Sequence, residues 1–223
     1  MALLTEFVLR LSFGIAVAML VTSPKSVTLG FFRVHCFVLF GLGVTASLAA
    51  YGDDRYGVAA PVVIAVASYL GSVAWLVGLT RIGQILLAVV AAAALTGAWL
   101  AAGPETTVAA GLWALVDSAT AGLALGFTIT AMLLGHWYLN TPTMKLEPLR
   151  RLILLMTAFL MLRAAVAAVG LATLVATTGT APAVTWLLML LLRWSAGIVF
   201  ALVVAYMTWQ TLKIPNTQSA TGI

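Results

Sequence analysis

Three ionisable side chains lie deep inside apolar stretches of the sequence: Asp117, Arg163 and Arg193. With a rise of about 1.5 Å per helical residue, they come to nearly one depth if each stretch crosses a membrane as a helix. A charge at the centre of a bilayer costs about 2.5–3.5 kcal/mol on insertion scales, so three charges at one level indicate mutual contact. We therefore predict an intramembrane polar cluster in which Asp117 lies within hydrogen-bond reach of Arg163 or Arg193.

The chemistry of this polar cluster is open at the level of sequence. One carboxylate between two guanidinium groups leaves about one positive charge over, which calls for an anion, a carboxylate of another subunit or water. The cluster has three candidate roles. It is an ion pair that fixes the register of three helices, a polar site for a quinone head group, a haem propionate or a proton path, or the substrate site of a transporter.

The chain has only two histidines, His35 and His136, and the charge distribution described below puts both in the cytoplasmic half of the predicted membrane. Their depth is similar, about 5–10 Å. Haem b ligation needs two facing imidazoles at matched depth, and imidazole exchanges protons near neutral pH, as quinone chemistry requires. We predict that these histidines, with Arg33, Trp137 and Tyr138, form a site for haem b or a quinone, with no metal other than a haem iron. The alternative is an interfacial cluster, because Trp and Tyr are typical of the membrane–water boundary.

The composition of the chain identifies the solvent in which these residues must be positioned. Of 223 residues, 63% are apolar and 8% are charged, against roughly 25% charged in a soluble domain. A lipid bilayer suits such a chain if its segments are helices, because a helix satisfies its own backbone hydrogen bonds. The net charge of +5 comes from basic residues scattered along the chain, so we expect no nucleic-acid partner. The single cysteine, Cys36, excludes an internal disulfide.

The apolar stretches divide the chain into spans of the length that a bilayer requires, about 20 residues each. We predict an all-α, polytopic membrane helix bundle that forms a single transmembrane domain over residues 1–223. Short breaks, among them residues 80–83, leave no room for a domain outside the membrane. The seven predicted spans are 4–22, 28–50, 58–79, 82–102, 107–139, 149–177 and 183–212.

Two local patterns concern helix packing. Gly122 and Gly126 form a G-x-x-x-G, and small residues at this spacing let another helix approach closely. The approaching helix belongs either to the same bundle or to another subunit. Glu6 and Arg10 are spaced i,i+4 in the first span, and we interpret them as a local ion pair with little functional weight.

The loop charges predict the orientation. The loops on one side of the predicted membrane carry most of the basic residues. The loops on the other side carry acidic residues and a single basic one. Because cytoplasmic loops carry the excess of Lys and Arg, we predict a multi-pass protein of the plasma or inner membrane, with its N-terminus outside and its C-terminus in the cytoplasm. The cytoplasmic set is Lys25, Arg33, Arg81, Lys145, Arg150, Arg151 and Lys213, and the outer set is Asp53, Asp54, Arg55 and Glu105.

The sequence lacks the motifs of self-contained catalysis, such as H-E-x-x-H, G-x-S-x-G or a P-loop, and we predict no catalytic residue. Two functions from different classes stay open. The first is an integral membrane subunit of a larger electron-transfer or respiratory complex, which anchors membrane or peripheral redox partners and contributes to an oxidoreductase. The second is a small stand-alone transporter with its binding site at Asp117, Arg163 and Arg193.

The orientation is testable by thiol labelling of intact cells. In a Cys36→Ala background, a membrane-impermeant reagent should label Asp54→Cys and leave Lys145→Cys unlabelled, because the two positions lie on opposite sides of the membrane. Labelling at position 145 without labelling at position 54 would reverse the orientation.

Overall fold

The computed structural model describes residues 2–51, 58–101, 107–138, 141, 144–178 and 184–213. These residues form helices and no strands, which confirms the predicted all-α bundle. The loop residues Asp53, Asp54, Arg55 and Glu105, used above for the orientation, lie outside the described residues. The elements are α1 (Ala2–Val21), α2 (Leu29–Ala50), α3 (Ala59–Val77), α4 (Thr80–Ala101), α5 (Val108–Trp137), α6 (Glu147–Thr178), α7 (Val184–Trp194), a π-helical segment (Ser195–Phe200) and α8 (Ala201–Thr211).

The helices are of membrane-spanning length and composition. α7, the π-helical segment and α8 follow one another without a break and form one helix over Val184–Thr211, called the last span below. Counted with α1 to α6, this gives seven helices in the described residues that are long and apolar enough to cross a bilayer. The predicted number of spans is therefore confirmed, and the chain has the construction of a multi-pass membrane protein.

The helices form a five-helix core and a peripheral pair. α1 packs against α2, α4 and α5, while α3 packs against α2 and α4. In the most apolar stretch of α1, 61% of the residues are buried, against 17% in α6 and 6% in the last span. α6 packs on α5, and the last span packs on α6. The five-helix core is therefore α1 to α5, and the peripheral pair is α6 with the last span.

α1 and α5 meet backbone to backbone at three glycines. A Cβ atom on Gly14 would lie 1.8 Å from the carbonyl oxygen of Gly122, and one on Gly126 would lie 2.0 Å from the carbonyl carbon of Gly14. No side chain fits at these distances. The G-x-x-x-G of α5 therefore packs inside its own bundle, which is the first of the two alternatives given by the sequence.

The connection between α3 and α4 differs from the prediction. Gly78 takes φ 83° and ends α3, the N–H of Leu79 donates to the carbonyl of Ala74 at 2.9 Å, and α4 begins at Thr80. The predicted break at residues 80–83 is the first turn of α4. A Cβ atom on Gly83, the last residue of this predicted break, would lie 2.5 Å from the indole of Trp75. This glycine makes room for a neighbouring helix and does not end one.

The glycine contact should be intolerant of a single methyl group. We expect Gly14→Ala to lower the thermal midpoint of the detergent-purified protein, because overpacking costs about 1–3 kcal/mol and the obstacle here is backbone. Gly41→Ala is the matched control, since it also lies in a helix and a Cβ atom there meets nothing within 4 Å. An equal midpoint for both variants would contradict the close approach of α1 and α5.

Candidate functional site

The predicted contact between Asp117 and Arg163 is present. Arg163 Nη1 donates to Asp117 Oδ1 at 2.5 Å and also lies 3.2 Å from the backbone carbonyl oxygen of Asp117. Its third contact is the hydroxyl of Thr120, at 3.4 Å. All three oxygens belong to α5, and a guanidinium group has several N–H donors in a rigid plane. These contacts therefore hold α6 against α5 at the depth of Asp117.

A second arginine reaches the same carboxylate, and it comes from α1. Arg10 Nη2 lies 3.3 Å from Asp117 Oδ2 and 3.2 Å from the hydroxyl of Ser118. Arg10 also pairs with Glu6, one turn earlier on α1. The predicted local pair of Glu6 and Arg10 is confirmed. Sequence reasoning missed that Arg10 also joins this pair to the intramembrane cluster.

The glycine contact explains why Arg10 reaches α5. Arg10 lies one turn before Gly14, and Ser118 lies one turn before Gly122. Since the α1 and α5 backbones touch at Gly14 and Gly122, residues one turn away on parallel helices face each other. A glycine in α1 opposite the G-x-x-x-G was the signal in the sequence that would have found this contact.

The four paired groups form a set without net charge: the carboxylates of Glu6 and Asp117 and the guanidinium groups of Arg10 and Arg163. Their side chains are only 15–31% exposed, from Arg163 to Asp117. Burial of charges is tolerated where opposite charges and hydrogen bonds accompany each group. We call this set the neutral quartet.

Arg193 is the member of the predicted cluster that the structure does not pair. Among the described residues no carboxylate lies within 4.0 Å of its guanidinium group. Its side chain is exposed and lines a cavity of about 320 Å³ together with Asp117. The expected positive charge in excess of the carboxylates is thus real, and it resides on Arg193.

Two cavities lie end to end between α5, α6 and the last span, in a groove that we call the cleft. The first, of about 320 Å³, holds Asp117 and Arg193 with three tryptophans, Trp113, Trp186 and Trp194. The second, of about 600 Å³, continues along the same three helices. Among the described residues, the polar side chains that line this second cavity are Arg163, Thr128 and Thr208. We call the first cavity the polar cavity and the second the apolar cavity.

The boundary between the two cavities coincides with two other features. The Asp117–Arg163 pair lies there on α5 and α6, because Asp117 lines the polar cavity and Arg163 the apolar one. On the last span, the boundary falls between Trp194 and Gly197, where the α-helix gives way to the π-helical segment. π-helical turns within α-helices occur frequently at functional sites. Sequence reasoning missed both the cleft and the π-helical segment.

The two histidines occupy different environments. The ring of His35 is 1% exposed and packs on Phe31 with centroids 3.9 Å apart. Its Nδ1 atom lies 2.8 Å from the carbonyl oxygen of Phe31, which can only accept, so Nδ1 carries the proton. Nε2 is buried without a hydrogen-bond partner in the described residues. The side chain of His136 is exposed.

The atom of His35 that would ligate a haem iron is Nε2, and in this arrangement it is enclosed by protein. Haem ligation by His35 stays a prediction. No hydrogen bond or ring contact in the described residues joins His35 to His136. A quinone or proton site shared by the two histidines stays a prediction, with no contact in its favour.

The other residues of the predicted cofactor site make local contacts. Trp137 donates its indole N–H to the hydroxyl of Thr28 at 2.9 Å, and the Arg33 guanidinium lies 5.6 Å from the ring centre of Phe37. Tyr138 donates its hydroxyl to the carbonyl of Lys145 at 2.5 Å, and burial raises its pKa to about 12. Tyr138 therefore stays protonated at neutral pH and ties the end of α5 to the chain that follows.

Comparison with known proteins gives no assignment, because no family model, no curated protein and no solved structure matches the chain. The fold and the site together define a class: a multi-pass helical membrane protein with a charged cluster at the boundary between the two cavities of its cleft.

The Asp117–Arg163 pair should show strong thermodynamic coupling. Removing one partner of a buried pair lowers the stability of the fold by about 3–5 kcal/mol. Because these side chains are partly exposed, we expect Asp117→Ala and Arg163→Ala to lose an amount near the lower end of this range. The double variant should lose less stability than the sum of the two single variants, as measured by thermal midpoints in detergent. Arg193→Ala, which breaks no ion pair, is the control and should change the midpoint little. Additive losses would contradict the contact.

Proposed function

We propose that the chain is a small membrane transporter whose substrate binds in the cleft at the level of Asp117, Arg163 and Arg193. The observation that carries this proposal is the position of the charged level between two cavities of one cleft. A carrier needs a binding site within the membrane with space on either side of it, and charged residues inside a bilayer commonly mark such a substrate path.

The unpaired charge of Arg193 supports a binding role over a purely structural one. The neutral quartet already satisfies its own charges, so Arg193 contributes nothing to that ion-pair network. A guanidinium group at this depth needs water or an anion. The polar cavity supplies the space, and an anionic group of a substrate would supply the charge.

A second candidate is the membrane subunit of a larger electron-transfer complex. The observation in its favour is the exposure of the last span: only 6% of the residues in its most apolar stretch are buried within the chain. That surface faces either lipid or another subunit. This function requires subunits that purify together with the chain, whereas the transporter requires none, and the described contacts of the histidines lend it no weight.

Water access to the polar cavity tests the transporter proposal. In the Cys36→Ala background, Gly170→Cys places a thiol on the cavity wall, where a Cβ atom meets only Trp113 at 3.8 Å. We expect a membrane-impermeant thiol reagent to label this position at least about tenfold faster than Val66→Cys, because ionised groups in a bilayer need a hydrated cavity.

Val66→Cys is matched to Gly170→Cys in depth, about 10–12 Å from the predicted outer ends of α3 and α6. Its side chain is 54% exposed on α3, on a helix that does not line the cleft. Equal protection of the two thiols would mean that water does not enter the polar cavity, and the transporter proposal would then fail.

A further inference from the structure

We infer that the cleft binds an anionic phospholipid, with the phosphate at Arg193 and a hydrocarbon chain in the apolar cavity. This inference rests on the proposed function and names the chemical class of its ligand. It follows from the charge of one cavity, the polarity of the other and the side from which both are open.

The polar cavity has the composition of a site for an anionic head group. Arg193 is its one cation, and in the described residues no carboxylate pairs with it. Asp117 also lines the cavity, but the guanidinium groups of Arg10 and Arg163 already offset its charge. The net charge presented to a ligand is therefore positive. A guanidinium group binds phosphate through parallel hydrogen bonds.

The tryptophans of the polar cavity agree with a lipid head group. Trp113, Trp186 and Trp194 come from two helices and line the same space as Arg193. Tryptophan is enriched where lipid head groups meet the hydrocarbon region, because its ring is apolar and its N–H is polar. A small hydrophilic solute would not need three indole rings around one arginine.

The apolar cavity has the composition of a site for a hydrocarbon chain. Its volume of about 600 Å³ is bounded mainly by Ala, Leu, Ile, Met, Val and Phe side chains of α5, α6 and the last span. It begins where the polar cavity ends, at the Asp117–Arg163 pair. A ligand that occupies both cavities must have a charged end and a long apolar end.

Both cavities are open toward the side that a bilayer would cover. Met132, Phe200 and Val204 line the apolar cavity and are 53%, 64% and 43% exposed, and Met189 of the polar cavity is 70% exposed. A molecule already in the bilayer can therefore enter sideways between α5 and the last span. This lateral opening favours a membrane lipid over a solute that arrives from water.

The test is lipid binding by the full chain in a neutral detergent, followed by native mass spectrometry. Phosphatidylglycerol and phosphatidylcholine are the probes, and both are added at increasing concentrations. We expect wild-type protein to bind phosphatidylglycerol more tightly than phosphatidylcholine. Arg193→Gln should weaken phosphatidylglycerol binding about tenfold or more, as expected for loss of a charge-assisted contact.

Two variants control for non-specific charge effects and for folding. Arg81→Gln removes an exposed arginine on α4, away from the cleft, and should leave the Kd for phosphatidylglycerol unchanged. Arg193→Lys keeps the charge and should retain most of the preference for phosphatidylglycerol. Millimolar inorganic phosphate should not displace the lipid, because the apolar cavity contributes to its binding.

Several results would overturn the inference. They are equal Kd values for wild type and Arg193→Gln, tighter binding of phosphatidylcholine, or displacement of the lipid by inorganic phosphate. Each is distinguishable from failure of the transporter proposal. If Gly170→Cys is labelled rapidly but Arg193→Gln leaves phosphatidylglycerol binding unchanged, the hydrated cleft stands and only the lipid is wrong.

Discussion

The backbone contact between α1 and α5 at Gly14, Gly122 and Gly126 places Arg10 beside Asp117, and the intramembrane ion pairs depend on this contact. Without a Cβ atom on either side, the two helices touch through main-chain atoms. One turn away, this proximity brings Arg10 to the carboxylate of Asp117. Asp117 in turn binds Arg163. One short interhelical distance thus joins α1, α5 and α6 through a single carboxylate.

This chain of contacts also explains how the peripheral pair is attached. α6 has few buried residues in its most apolar stretch. It is attached to α5 by the Asp117–Arg163 pair and by apolar packing, which includes the ring of Phe159 on Phe127. The last span has a hydrogen bond at one end, from Arg150 Nη2 to the carbonyl of Leu212 at 2.7 Å. Between that bond and the π-helical segment, the apolar cavity separates it from α5. The cleft exists because the last span packs on α6 and not on the core.

The neutral quartet and the free arginine have different consequences. A carboxylate with two guanidinium partners is stable at low dielectric, because each charge has a compensating neighbour. Arg193 has no such neighbour in the described residues, although it lines the same cavity as Asp117. In the proposed function, the ion pairs fix the walls of the cleft and Arg193 supplies the charge that recognises the substrate.

The sequence was sufficient for the spans and for the Asp117–Arg163 contact, because hydropathy and residue count give the depth of each residue. They do not give the direction in which a side chain points around its helix. Depth alone therefore grouped Arg193 with Asp117 and overlooked Arg10, whose partner is decided by the glycine contact. The same limit applies to His35 and His136. Their predicted depths are similar, yet one imidazole is enclosed in the core and the other is exposed.

The predicted boundary between α3 and α4 was wrong for a related reason. Gly83 and Gly78 are the same residue type five positions apart, but only Gly78 takes a positive φ and ends a helix. Gly83 is glycine because the indole of Trp75 occupies the space of a side chain. Single-sequence patterns do not separate these two uses, since the difference lies in a neighbouring helix.

The reactivity of the three intramembrane arginines is the most direct test of the account. Phenylglyoxal, which crosses membranes and modifies unpaired guanidinium groups, can be applied to the protein in vesicles and its adducts located by peptide mass spectrometry. The account predicts rapid modification of Arg193, slow modification of Arg10 and Arg163, and protection of Arg193 when phosphatidylglycerol replaces phosphatidylcholine. Modification of Arg163 as fast as that of Arg193 would contradict it, because Asp117 would then not hold the pair at the waist of the cleft.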